Sequence, residues 1–308
     1  TGYGSIAKKH LKILLKLTPN SKFFIISKRN IKNNSKKINL FKSRSKLDNT
    51  NIDLALICSP SSKHYKDFLY FYKKKSHIFM EKPLSNNLTD AVKIFKNCKT
   101  YKKLFKVGYV FRYKSSAKKF KDLLSKRNIG KILDVQIVCD SYLPKWRAGR
   151  NYKDTVSANK NLGGGVLLEL SHEFDYIQWF FGATKNIFST FSNNKVLKTN
   201  VEEFVNIFLF QKQNYLINAR INFNQKFLSN RYCIVSGTKG LLKWNILRDE
   251  IKLINENRTK VFKFKDNPFK NQLQSIVNQI EKKKINKTNE IIDSLNILKL
   301  IEKIKQSN

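Results

Sequence analysis

Cysteine is sparse in this chain of 308 residues, and its four positions, Cys58, Cys98, Cys139 and Cys233, lie far apart with no C-x-x-C pair. That spacing argues against a disulfide framework and against a zinc cage. Reduced thiols, a cytoplasmic location and no metal are the expectation. No apolar stretch approaches the roughly 18 residues that a membrane-spanning helix needs, so no membrane partner is expected. Proline occurs only 5 times and glycine 11 times, and neither builds a low-complexity linker. No internal repeat is present.

Carboxylates are also few: 22 Asp and Glu stand against 61 Lys and Arg, a formal charge of +39. Such an excess raises nucleic-acid binding as a function. Only ten of the basic residues are Arg, and the lysines are spread over every segment. Nucleic-acid readers usually concentrate charge on one element and use Arg for base contacts. Lys, Asn, Ile and Phe abound together and share A/T-rich codons, so the excess reads as mutational drift in an AT-rich genome. No specific nucleic-acid partner is expected, only a weak association with polyanions that salt abolishes. A hydrophobic content of 41% with 12% aromatics is that of a globular protein. The length favours two domains.

The chain opens on Thr1-Gly2-Tyr3-Gly4-Ser5-Ile6-Ala7, ahead of a helical pattern at Leu11, Leu14 and Leu15. G-x-G-x-x-A opening a helix is the phosphate loop of a dinucleotide fold. Gly2 would make the tight turn, Gly4 would admit the pyrophosphate to the backbone, and Ala7 would allow close helix-to-sheet packing. The first strand, which normally precedes this loop, is missing from the chain as given. A fragment is therefore expected, its full form carrying roughly five to eight more apolar residues upstream. Because that strand is normally central, poor stability is expected of the chain as given.

A strand at Phe23–Ile26 ends on Ser27-Lys28-Arg29. An acid here would bind the ribose hydroxyls of NAD, whereas basic residues tolerate the extra phosphate of NADP. These three tilt the expectation from NAD towards NADP, although they also suit plain solvated charge. A strand over 53–58 breaks at Ser59-Pro60-Ser61-Ser62, with His64 opening the next helix. The apolar strand His77–Met80 runs into Glu81-Lys82-Pro83, and its lack of alternation suits burial on both faces. Pro83 stops the strand. A lysine at the carboxyl end of a parallel strand points into the crevice where open α/β sheets bind ligands. Taken alone, Glu81 and Lys82 read equally well as a strand-end charge pair. A helix over 87–99, a strand over 104–110 and Phe111-Arg112-Tyr113 follow, which argues a doubly wound parallel sheet.

After a helix over 115–126 the pattern changes to strands at 132–139, 203–210, 215–223, 231–236, 241–246 and 261–264. Tyr215, Ile217, Ala219, Ile221 and Phe223 alternate with Leu216, Asn218, Arg220 and Asn222, a half-exposed antiparallel pattern. Gly237-Thr238-Lys239-Gly240 reads as a hairpin turn. The expected fold class is α/β + α+β. Residues 1–113 form a Rossmann domain, and residues 114–308 form an α+β domain with a large open antiparallel sheet. Helices starting at Asn267-Pro268 and near 288 would be free to pack back on the first domain.

One helix, over 164–181, is inserted into the second domain after Gly163-Gly164-Gly165. Its apolar stripe is Leu167, Leu170, Phe174, Ile177 and Phe181. On another face lie Glu169, His172, Asp175 and Tyr176, spaced to converge on one site. The glycine run would let a ligand reach backbone donors. A solvated acidic face with an incidental histidine is the plainer alternative. Between the domains, Tyr142 to Tyr152 carries Trp146, Arg147 and Arg150. Two arginines three apart in a lysine-dominated chain can fork a carboxylate or phosphate. Trp146 also suits a packing anchor beside exposed arginines.

Together, Gly2-x-Gly4-x-x-Ala7, Ser59-Pro60 with His64, Glu81-Lys82-Pro83, and Gly163-Gly164-Gly165 followed by His172-x-x-Asp175 resemble the glucose–fructose oxidoreductase/inositol dehydrogenase (Gfo/Idh/MocA) family. The resemblance implies an NAD(P)-dependent dehydrogenase acting on a sugar, cyclitol or nucleotide sugar, and a homo-oligomer formed through the open sheet. It implies catalytic roles for Lys82, beside the nicotinamide, and His172, as acid/base. Substrate contacts are expected at Tyr109, Arg147, Arg150, Glu169 and Asp175. Cofactor contacts are expected at Gly2, Tyr3, Gly4, Ser5, Ile6, Ser27, Lys28, Arg29, Ser59, Pro60, His64, Glu81, Lys82, Arg112 and Trp146, with a structural part for Glu81. Many members place an acid four residues before the histidine, where this chain has Leu168; Glu169 is three before. The stretch from Tyr142 to Tyr176 resembles members of surface-glycan pathways. Two alternatives are an NAD-dependent glycoside hydrolase of the same family and a non-catalytic dinucleotide sensor, and retention of both Lys82 and His172 argues against the sensor.

Overall fold

Uninterrupted apolar runs in the first hundred residues form parallel strands, as burial on both faces favours. The computed structural model describes residues 1–31, 35–192, 195–285 and 290–307. The chain divides into two units, Thr1–Tyr109 with Phe269–Leu298, and Val110–Pro268 with Lys299–Asn308. Where the sequence places the boundary after residue 113, the units divide after Tyr109.

In the first unit, α1 (Ser5–Leu17) leads to β1 (Phe23–Ile26) and β2 (Ile38–Phe41). Then come β3 (Leu54–Ile57), α2 (His64–Lys73), β4 (His77–Met80), α3 (Leu88–Lys99) and β5 (Phe105–Val107). The strands form two parallel pieces, β1-β2 and β3-β4-β5. The short strand β2 has no expectation in the sequence, because Ile-Asn-Leu-Phe is brief and its middle residues are exposed. The strand expected over 104–110 is shorter and gives way to a 3-10 turn at Val110–Tyr113.

A groove of about 810 Å³, lined by residues including Phe24, Ile26, Leu54 and Leu56, separates β1 from β3. Thr1 and Gly2 bridge its end. Thr1 N donates to Leu56 O at 2.6 Å, Cys58 N donates to Thr1 O, and Gly2 N donates to Ile26 O. Successive residues thus bond to opposite neighbours, as in a parallel strand laid between two others. Behind the sheet, Leu273, Ile276 and Val277 of α7 (Pro268–Glu281) pack with Leu14, Phe79 and Leu104 in one core.

The second unit carries α4 (Ser115–Ser125), β6 (Ile132–Asp140), α5 (Val166–Glu169), α6 (Ser171–Phe181) and β7 (Thr184–Ser192). The strands β8 (Phe204–Gln211), β9 (Leu216–Asn222), β10 (Asn230–Gly237), β11 (Gly240–Asn245), β12 (Glu250–Asn255) and β13 (Arg258–Lys263) follow. They form an eight-stranded sheet in the order β13-β12-β11-β10-β6-β9-β8-β7. Its ladders are antiparallel except β6 with β9, which are parallel, so the sheet is mixed. The strands β7 and β12 are additions to the sequence reading; the Lys- and Asn-rich stretches that carry them blur the alternation. Thr238 and Lys239 turn the hairpin between paired Gly237 and Gly240.

Val205, Ile207 and Leu209 of β8, Ile217, Ala219 and Ile221 of β9, and Cys233 and Val235 of β10 are buried on the inner face. Asn222 departs from the expected half-exposed alternation: it is buried, and its Nδ2 donates to Asp140 Oδ1 at 3.3 Å. Trp244 of β11 is fully buried, packs against Phe120 and Tyr176, and donates from Nε1 to Ser116 Oγ at 3.0 Å. The helix α8 (Glu290–Gln306) closes the chain, and residues 286–289, where its start was expected, lie outside the described residues. Among the described residues, no helix is long and apolar enough to cross a membrane.

Candidate functional site

The first unit brings the glycine loop, the Ser59-Pro60 turn and the Glu81-Lys82-Pro83 corner to the carboxyl ends of its strands. Gly2 has φ +80°, and a Cβ there would lie 2.6 Å from Cys58 O, so both the turn and the close approach require glycine. Gly4 is different. It caps α1 with φ −83° and without a side-chain hydrogen bond, and a Cβ there would meet nothing within 4 Å. The free space lies in front of the helix start, where first-turn N–H groups favour an anion. These features fit a dinucleotide diphosphate. Ser5 is exposed, Ile6 is half-buried, and the Tyr3 ring has Lys8 Nζ 5.4 Å from its centroid.

At the ends of β1 and β2, Ser27 N donates to Phe41 O at 2.9 Å, and Ser27 Oγ accepts from Arg29 N at 3.2 Å. Lys28 and Arg29 are exposed. Lys42, which follows β2, donates to Asn30 Oδ1 at 2.6 Å and so joins the same edge. The first acidic residue in the chain is Asp48.

His64, expected at the cofactor, makes its polar contacts to the backbone of the first unit. The residue is buried; its Nδ1 lies 2.9 Å from Pro83 O and its Nε2 lies 3.0 Å from Ser59 O. His64 therefore ties the Ser59-Pro60 turn to the lysine corner through backbone. Ser59 Oγ donates to Asp67 Oδ2 at 2.6 Å, and Asp67 also takes Arg44 at 2.5 Å. Burial pushes the His64 pKa below its ordinary 6.5, against the opposing pull of the two carbonyls. Burial also lowers His77, with Lys103 adding to the effect.

Such histidines take up a proton in the unfolded chain before they do in the folded one. Stability is therefore full above about pH 6.5 and falls as pH drops below it. Thermal melts at about pH 7.5 and 5.5 should show the fall, and His64→Gln should shrink it. An unchanged drop in His64→Gln would remove His64 from this linkage.

At the corner itself, Glu81 Oε1 lies 2.6 Å from His10 Nε2, and Glu81 Oε2 accepts from Lys82 N at 3.3 Å. Lys82 is half-buried. His10, fully buried on the inner side of α1, was not anticipated from the sequence. Its signal is position: four residues before buried Leu14, it shares the inward stripe of the helix.

In the second unit, the helix expected over 164–181 breaks at Leu170 (φ −98°, ψ 25°) into α5 and α6. Glu169 closes α5, while His172, Asp175 and Tyr176 lie on α6, so the four do not share one continuous helix face. The half-buried His172 ring stacks on Phe111, with centroids 5.0 Å apart at 30°. The Arg231 guanidinium lies 4.6 Å from the Phe111 centroid. Arg231 in turn forks buried Glu173, with Nε to Oε1 at 2.7 Å and Nη2 to Oε2 at 2.9 Å.

Arg112, expected at the cofactor, donates from Nε to Asp175 Oδ1 at 2.9 Å, and both belong to the second unit. Burial and the nearby Glu173 charge push the Tyr176 phenol well above its ordinary pKa. Tyr109 is buried at the close of the first unit. Trp146 sets its ring edge-on to Phe223 at 5.0 Å, and Arg147, Arg150 and Tyr152 lie beside it around a cleft too narrow to admit a water molecule. Arg150 Nη2 donates to Asp154 O at 3.0 Å. Lys82 thus belongs to the first unit, and His172 belongs to the second with Phe111, Arg112 and Asp175.

Residues 1–109 match the family model described as "Oxidoreductase family, NAD-binding Rossmann fold", and residues 117–243 match the "GFO/IDH/MocA C-terminal domain". The chain belongs to the Gfo/Idh/MocA family. A curated member of similar sequence is a myo-inositol 2-dehydrogenase of Thermotoga maritima, 26% identical over 152 residues, which are 49% of this chain and 42% of that protein. Another is a 2,7-anhydro-N-acetylneuraminate hydratase of Escherichia coli, 24% identical over 218 residues, which are 68% of this chain and 56% of that protein. The chain spans about half the length of these curated relatives.

Among solved structures, a levoglucosan dehydrogenase complexed with NADH and levoglucosan matches with TM-score 0.84 at 14% identity, over 99% of this chain and 95% of that one. A myo-inositol 2-dehydrogenase from Lactobacillus plantarum matches with TM-score 0.80 at 17% identity, over the same shares of 99% and 95%. At such identities the likeness is one of fold.

Proposed function

We propose that this Gfo/Idh/MocA chain is an NAD(P)-dependent oxidoreductase acting on a hydroxyl or keto carbon of a sugar or cyclitol. The observation that carries the reading is Lys82, at the carboxyl end of β4 in a corner fixed by Glu81 and by the His64 contact to Pro83. The same unit holds the phosphate loop with open space before Gly4. When bound, the nicotinamide supplies the acceptor or donor of a hydride. Lys82 directs its ammonium at the substrate oxygen and stabilises the negative charge that develops there. His172 exchanges the hydroxyl proton, a task suited to an imidazole near neutral pH. Phe111 fixes the plane of that ring, and the Arg112–Asp175 pair braces its helix.

Two finer features belong to the same proposal. Arg147 and Arg150 suit a carboxylate or phosphate, hence an acidic or phosphorylated sugar such as those of surface glycans. Lys28, Arg29 and Lys42, with no carboxylate before Asp48, favour NADP over NAD. Exposed Phe188 and Phe210 on the sheet support a second copy of the chain as its cover. The reduced cysteines suit the cytoplasm.

A relative named as a hydratase, a reaction with no net oxidation, favours a second reading: an NAD-dependent glycoside hydrolase of the same family that returns its cofactor to the starting state within each turnover. Net reduction of free cofactor separates the two, since that reaction yields none. Thermal-shift titration with NAD, NADP and a panel of sugars and sugar acids tests the proposal. NADP should stabilise at lower concentration than NAD, and a sugar acid should add to it. No response to either nucleotide would overturn the reading, and a stronger response to NAD would overturn the NADP preference.

A further inference from the structure

We infer that His10 is a positioning residue, which through Glu81 ties the phosphate-loop helix to the backbone that aims Lys82. The inference rests on the proposed role of Lys82. His10 stands on α1, the helix that Gly4 opens, and is fully buried with its Nε2 2.6 Å from Glu81 Oε1. The other carboxylate oxygen accepts from Lys82 N at 3.3 Å. Gly108 closes the remaining side, where an added Cβ would lie 3.0 Å from Glu81 Oε2. The carboxylate is therefore boxed between the helix, the strand end and the glycine.

Packing alone does not account for a histidine here. Its ring meets Phe79 edge-on at 5.2 Å and Phe269 at 5.9 Å, apolar surroundings that would suit a leucine or phenylalanine. Its Nδ1 is buried with no hydrogen-bond partner among the described residues, a cost that an apolar side chain would avoid. The compensating feature is the Nε2 bond to Glu81. Lys82 carries its ammonium on a flexible four-carbon stem, so its aim depends on where the backbone starts the chain. The Nε2 bond sets that start from the same rigid helix whose first turn faces the diphosphate. A displacement of about 1 Å at a reacting group can cost on the order of 10²-fold in rate.

The test uses the full-length protein with saturating cofactor and a turned-over sugar. His10→Leu removes the bond, His10→Gln places an amide nitrogen near the Nε2 position, and His10→Asn places one too short to reach. The expected result is a kcat lowered about 10- to 100-fold in His10→Leu and His10→Asn. The cofactor Kd should stay within about threefold of the wild type, and His10→Gln should recover most of the rate. Should His10→Leu fail to fold, the comparison of His10→Asn with His10→Gln decides.

Wild-type kcat in His10→Asn, or equal impairment in His10→Gln and His10→Asn, would overturn the inference. Lys82→Ala run alongside separates the two levels. Wild-type turnover there removes the role of Lys82 and that of His10 with it. An inactive Lys82→Ala beside a fully active His10→Asn removes only the positioning role.

Discussion

Lys82→Ala is expected to lower turnover by roughly 10²- to 10³-fold or more while cofactor affinity stays within about threefold of the wild type. The asymmetry follows from where the side chain is anchored. Its backbone is held by Glu81 and its neighbour Pro83 by His64, so removing the side chain leaves the loop and the turn in place. What is lost, on the proposed role, is the ammonium at the developing negative charge, an interaction strongest in the transition state. Lys82→Arg should not restore the rate, because a planar fork does not replace a compact ammonium. Initial rates with fluorescence titration of the cofactor check both halves. A parallel loss of affinity and rate would point to a damaged cofactor site, and unchanged turnover would end the proposed role.

Glu173→Ala should cost about 3–5 kcal/mol of stability, because it leaves Arg231 without the carboxylate that forks it inside the second unit. For a unit of this size that is a fall in Tm of roughly 10 °C. The carboxylate is fully buried and takes both guanidinium nitrogens at 2.7 and 2.9 Å. Glu173→Gln should fall between wild type and Glu173→Ala, since an amide oxygen still accepts one bond. Arg231 also covers the Phe111 ring on which His172 stacks, so Glu173→Ala should lower turnover even at temperatures where it is folded. A Tm within about 2 °C of the wild type would contradict the assigned weight of this pair.

Local chemistry made much of the fold legible. Gly2 and Gly4 before the leucines of α1, the run His77–Met80 stopped by Pro83, and the alternation through Tyr215–Phe223 each require one kind of element. Pairing was less legible. The parallel match of β6 with β9 joins strands distant in sequence, and alternation does not encode which edges meet. The split of the inserted helix at Leu170 was hidden because Leu167, Leu170 and Phe174 keep a helical apolar stripe across the break.

The candidate functional residues show the same division. Lys82 and His172 stand out by motif. His10, Glu173 and Arg231 matter through contacts that only folding creates, between residues 58 to 71 positions apart. His64 was legible as a residue of interest, but its buried place between two carbonyls was not.

The most direct measurement follows deuterium from the carbinol carbon of a sugar or cyclitol into the nicotinamide, read by mass spectrometry on full-length protein with oxidised cofactor. Label recovered in the reduced cofactor, at a rate lowered roughly 10²- to 10³-fold in Lys82→Ala, is the expected result. Product formed with the label still on the sugar, and none in the cofactor at any stage, would contradict an oxidoreductase.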